Sequence, residues 1–233
     1  DFTKINFGNL PVFVLNQKSL DFRQGYTQYQ FPFQKLDFVG SPGFQYGGME
    51  HVGAIQYREP SLFLDESATE RQRLGRAKPI AHETSHMWFG DLVTMDWFND
   101  VWMKEVFANF MADKIVNPAF PDINHRLQFM TSHYQGAYGE DRTKGTNPIR
   151  QDLDNLKNAG SLYGGIIYNK APIMMRQLEA TIGEKEFREG IREYISKYAY
   201  GNATWNDLVG ILDGRTPKDL QKWSEVWVNQ SGR

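Results

Sequence analysis

A chain of 233 residues, 40% hydrophobic and 14% aromatic, carries enough apolar surface for a sizeable core and has room for one large domain or two lobes. A formal net charge of -2 and a pI near 6.2 leave no basic footprint for nucleic acid, and no run of about 18 apolar residues could span a bilayer, so neither partner is expected. Cysteine is absent, which excludes disulfides and thiolate metal sites; a bound metal would have to be held by histidine and carboxylate.

In chain order, the first sixty residues alternate short apolar runs with turn residues: VFVL at 12–15, YTQYQF at 26–31, LDFVG at 36–40 and GAIQYRE at 53–59. Their Val, Phe and Tyr content with Gly and Pro punctuation predicts strands of a mixed or antiparallel sheet, a sheet-rich part over 1–66. From Ser67 the spacing becomes helical, with segments near 68–89, 100–116, 122–138, 164–182, 184–198, 204–213 and 217–229. Thr204 and Thr216-Pro217 read as helix starts. Pro79 either begins the helix near 79 or interrupts one running from Ser67 by removing the bond to the Gly75 carbonyl; the long helix, kinked there, is the expectation. The polar, glycine-rich stretch 139–161 predicts a rim of the active site. The chain opens on Asp1 without an initiator Met or signal peptide and stops at Ser231-Gly232-Arg233 straight after a helical pattern. That is expected of an excised piece of a longer protein, with flanking domains of the same parent chain, and it leaves the compartment undetermined.

The segment HETSHMWFGDL, 82–92, carries the chemistry. A helix turns about 100° per residue, so His82 and His86 lie one turn apart on one face and both imidazoles can reach one metal, with Glu83 beside them as a base. Leu92 stands where a metzincin would place a third histidine. Eighteen residues separate His86 from Glu105, enough to finish one helix and begin a second that returns an acid to the metal. Three protein ligands, His82, His86 and Glu105, around one Zn2+ keep a position open for water, which predicts a hydrolase. Asp100 reads as a cap of the second helix or as a residue that orients a ligand, the cap being the expectation, and His125 and His133, outside every motif, read as structural.

Beyond the ligands, Gly47-Gly48-Met49-Glu50-His51 is similar to the signature GAMEN, and HETSHMWFGDLVTMDWFNDVWMKEVFA to the pattern HExxHxWFGxLVTxxWWxDxWLxEGFA. Tyr163 and Tyr168 in SLYGGIIYNKA are similar to a tyrosine pair whose second member sits in YxKG. On these residues the chain resembles the catalytic domain of the M1 family of zinc aminopeptidases, of the gluzincin group. The resemblance implies an α+β, thermolysin-like catalytic domain over 1–233, with a sheet-containing N-terminal lobe and a mostly helical C-terminal lobe over 67–233. It implies peptide substrates with a free N-terminal amine, bound by Glu50 and by Gly47, Gly48, Met49 and His51. Glu83 would be the general base, Tyr168 the hydrogen-bond donor to the developing oxyanion, and Tyr163 a pocket residue. Three positions depart from the family: His51 stands for asparagine, Val106 and Ala171 for glycine. Two other readings stay open, a gluzincin endopeptidase with no amine clamp and a zinc-containing peptide-binding fragment with little turnover.

Overall fold

The computed structural model describes residues 10–232, and of Leu10 the backbone alone. The chain begins with α1 (Leu10–Thr27), which takes in VFVL and the first residues of YTQYQF; both expected strands are helix or irregular chain. Period 3.6 is present there but polar: Val12, Asn16, Ser19, Arg23 and Thr27 are the buried face, whereas Phe13 and Val14 are 49% and 43% exposed. An apolar count over such a helix points the wrong way, because tertiary hydrogen bonds pay for the buried polar groups.

The remaining two strand expectations hold. β1 (Asp37–Ser41) runs parallel to β3 (Ala54–Arg58), and β2 (Gly48–Met49) pairs antiparallel with β3, giving a mixed sheet of order β1-β3-β2. The short α2 (Glu59–Leu62) leads to α3 (Glu70–His86), whose start is set by a reciprocal capping box between Thr69 and Gln72. α3 continues through Pro79, the longer of the two alternatives. β4 (Val93–Met95) and a 3-10 turn precede α4 (Trp102–Val116).

The next helical stretch is α5 (His125–Phe129), a π-helical turn (Met130–Tyr134) and α6 (Gln135–Asp141). A 3-10 segment (Leu156–Leu162) and a second π turn (Ile166–Lys170) precede α7 (Ala171–Ile182) and α8 (Glu184–Tyr198). β5 (Gly201–Ala203) returns to pair parallel with β4. Thr204 caps α9 (Trp205–Asp213) with a box closed by Asp207. The last helix, α10 (Leu220–Trp227), starts three residues later than Thr216-Pro217 suggests, because Asp219 accepts from the Lys222 amide at 2.8 Å and is its cap.

The core gathers around α3, α4 and α8. Trp102 stacks edge-on against Trp205 at 4.8 Å, and Phe89 lies parallel to Phe107 at the same distance. Val106 and Ala171, two of the departures from the family pattern, are fully buried here. No helix among the described residues is long and apolar enough to cross a membrane.

Candidate active site

The last turns of α3 are enclosed on three sides. α1 holds the back: Asn16 Oδ1 accepts from Thr84 Oγ1 at 2.8 Å, and the fully buried Arg23 donates to Ser85 Oγ at 2.9 Å, to Ser19 O at 2.7 Å and to Ala81 O. Burial lowers the Arg23 guanidinium to about 9, yet it faces carbonyls at the negative end of α3, where a cation is favoured. α4 packs antiparallel alongside, and β2 crosses the front.

That packing brings the predicted ligands together. His82, His86 and Glu105 each offer one atom within 4.8 Å of the others. The two Nε2 atoms are 3.1 Å apart, and Glu105 Oε2 lies 3.4 Å from one and 3.8 Å from the other. His82 Nδ1 lies 3.0 Å from Asn109 Oδ1 and His86 Nδ1 3.1 Å from the carbonyl of Phe89, both acceptors, so each Nδ1 carries a proton and, in the neutral ring, leaves Nε2 as the atom free to ligate. Burial and the neighbouring His82 push His86 down to about 4, which keeps its ring neutral near pH 7. Burial alone would raise the Glu105 carboxyl, but its hydrogen bond to His82 and the positive groups around it, Lys104 among them, hold it at about 2. Burial disfavours the His82 cation, but its hydrogen bond to Glu105 and the charges of Glu83 and Glu105 raise the ring's pKa overall, which favours a proton between the two; two imidazole nitrogens with one carboxylate are a zinc-type set.

Glu83, 6% exposed, has its carboxyl raised to about 7, chiefly by burial, with His82 opposing and Glu50 and Glu105 adding. It lies directly under β2: a Cβ built on Gly48 would come 2.5 Å from Glu83 Cδ. Gly48→Ala should therefore displace the carboxylate or the strand and cut peptide cleavage while circular dichroism and metal content stay normal; unchanged cleavage would show that this close approach is not needed.

A cavity of about 780 Å³ opens over these residues. Gly47, Gly48, Met49 and Glu50 line it from the sheet side, and Tyr163 and Tyr168 from the other, with Gly160 the one residue of the expected rim 139–161 that does so. The two tyrosine rings are 6.5 Å apart. Tyr168 sits on the π turn, its hydroxyl kept protonated by burial and the nearby Glu105. His51 is exposed and does not line the cavity.

Lys104 and Asn109 have partners at the site that their place in the sequence does not signal as a motif. Lys104 pairs with Glu50 and lies 3.5 Å from Glu105; those two carboxylates raise its ammonium pKa against the effect of burial. Asn109, one turn after Glu105 on the same face of α4, orients His82; that i+4 spacing was the available signal. His133, read as structural, places Nδ1 3.1 Å from the Tyr168 carbonyl, while His125 bonds the Phe120 carbonyl at 2.8 Å. Asp100 caps nothing: it is buried, pairs with Arg150 at 2.7 Å, and the residue preceding α4 is Val101.

The model of the "Peptidase family M1 domain" matches residues 13–227. Among curated relatives, the chain is 34% identical to tricorn protease-interacting factor F2 of Thermoplasma volcanium over 93% of its own length and 28% of that protein's. It is 35% identical to aminopeptidase N of Streptomyces lividans over 95% of the chain and 26% of the relative. To leucyl aminopeptidase of Saccharolobus solfataricus it is 32% identical, over 94% and 28%. The chain thus spans about a quarter of the length of these relatives. A match over nearly the whole chain, on the segments that build the cavity, shows that this protein belongs to peptidase family M1.

Proposed function

We propose that the chain is the metal-bearing, thermolysin-like part of a zinc aminopeptidase that releases N-terminal residues from peptides. The observation that carries this reading is the convergence of two imidazoles and a carboxylate beside a buried glutamate, with a further carboxylate, Glu50, directly after the neighbouring edge strand. His82, His86 and Glu105 would hold one zinc ion, which when bound supplies Lewis acidity toward water and the scissile carbonyl.

The chain's own groups then divide the work. Glu83 accepts a proton from water as its oxygen bonds to the carbonyl carbon, and returns that proton to the nitrogen that leaves when the C–N bond breaks. A carboxyl poised at about 7 suits both halves of this exchange near neutral pH. Tyr168 donates its hydroxyl hydrogen bond to the carbonyl oxygen as negative charge grows there. Glu50 binds the substrate's ammonium, which takes the place held by the Lys104 ammonium in this structure. β2 has one edge unpaired within its sheet and offers a peptide backbone a strand to lie against.

The test is a free-amine peptide beside its N-acetylated twin. Losing one charge-assisted contact should slow cleavage of the acetylated peptide by about 10- to 100-fold. Equal rates would overturn the role of Glu50 and favour an endopeptidase. A second reading rests on the chain's spanning a quarter of its relatives' length: it binds zinc and peptide with little turnover, a reading that vigorous cleavage by this chain alone would exclude.

A further inference from the structure

The contacts between α3 and α4 form a ladder that continues past the metal set. Moving toward the start of α3 and the end of α4, His86 and His82 face Glu105, His82 faces Asn109, and Lys78 faces Asp113, Nζ to Oδ1 at 2.7 Å. Lys78 lines the same cavity as the ligands, about 6 Å along α3 from His82. Glu50 lies at the opposite end, tied through Lys104 to the first turn of α4. The cleft therefore runs from Glu50, past the three donors, to Lys78.

Charge at the Lys78 end is unbalanced. Asp113 also accepts from Arg176 of α7, Nη2 to Oδ2 at 2.6 Å. Among the described residues neither cation has another carboxylate within 4.0 Å, so two cations share one anion. The Lys78 side chain is 33% exposed and lines the cavity, and an ammonium has two donors beyond the one given to Asp113.

We infer that Lys78 is a specificity-determining residue that favours substrates carrying a carboxylate on the residue after the scissile bond. The inference rests on the aminopeptidase reading, which fixes direction: with the amine at Glu50 and the reacting carbonyl at the donors, the leaving residue lies toward Lys78. One extended residue advances about 3.5 Å, within reach of a lysine side chain one helical turn beyond His82. The carboxylate has two possible sources, an acidic side chain or the free C-terminus of a dipeptide.

Binding to the zinc-loaded chain, followed by calorimetry, tests this without turnover. Three dipeptides with the scissile amide reduced to a methyleneamine serve as probes: Leu-Gln amide, Leu-Glu amide and Leu-Gln free acid. A carboxylate at Lys78 should tighten binding about tenfold over the neutral amide. A gain confined to Leu-Glu amide assigns the site to an acidic side chain, and one confined to the free acid assigns it to the C-terminus. Lys78→Gln, which leaves the Asp113–Arg176 pair in place, should remove the gain, and Lys78→Glu should shift preference to Leu-Lys amide. Equal binding of the three probes, or a preference that survives Lys78→Gln, overturns the role of Lys78 while leaving the aminopeptidase reading intact. Failure of all three to bind overturns both.

Discussion

Replacing Glu83 by glutamine is expected to lower peptide cleavage by about a hundred- to ten-thousand-fold while zinc content and fold are retained. Glutamine fills the same volume beneath Gly48, so the close approach of β2 to α3 survives; what disappears is the group that accepts the proton. Glu50, Glu83 and His86 also come within 4.8 Å of one another, but Glu83 is outside the His82, His86 and Glu105 set assigned to the metal, so on that assignment its loss should not release the ion. A stability measurement on the metal-free proteins adds an independent check. Burial raises the Glu83 carboxyl to about 7 from an ordinary 4.5, so the folded state favours the protonated form, and stability is lost as pH rises from about 4.5 through 7. The glutamine variant escapes that loss. Its melting temperature should exceed the parent's at pH 8, and the advantage should vanish below about pH 4.5. Normal turnover by the zinc-loaded variant would remove Glu83 from the mechanism.

Stripping zinc should lower the melting temperature by roughly ten degrees. A ligand present at a thousand times its Kd stabilises the folded state by about 4 kcal/mol, and about 1 kcal/mol corresponds to 2–4 °C for a chain of this size. The structure supplies the reason that the metal-free state is poorer. Two imidazole Nε2 atoms 3.1 Å apart and a carboxylate 3.4 Å from one of them are buried in a space that a proton on His82 and the neighbouring Lys104 neutralise less well than a doubly charged cation at its centre would. Glu105→Ala should abolish most of the zinc-dependent shift because it removes the only charged ligand of the three. A melting temperature indifferent to zinc in the unaltered chain would mean that the three donors are not a metal site.

The helical part of the chain was readable from periodicity almost segment by segment, and α8 matches residues 184–198. The failures share a cause. α1 reads as strands because much of its buried face is polar: Asn16 and Arg23 depend on partners some sixty residues away in α3, and the Ser19 and Thr27 hydroxyls on carbonyls one turn back in α1 itself. Asp100 looked like a cap because local spacing allowed it, but Arg150, fifty residues later, engages it. Lys104 carries no signal in the sequence because the neighbour of a ligand on a helix points about 100° away; its close partner is Glu50, which the end of β2 brings to it. His51 sits beside Glu50 in sequence, yet the chain leaves it exposed outside the cavity.

By itself, then, the sequence determined the placements that lie within one helical turn or one repeat: His82 and His86 on one face, Glu83 between them and Glu105 eighteen residues on, with Glu50 and Tyr168 added as candidates by the family pattern. These follow from fixed spacing on rigid elements. Tertiary structure alone decided which way the imidazole protons point, how closely Gly48 lets a strand approach Glu83, and that Lys104 occupies Glu50. It also decided that the ladder of ligands ends in a lysine sharing its carboxylate with an arginine. Each of these depends on the distance between groups far apart in the chain, and charge and hydrogen bonding act through that distance rather than through sequence separation.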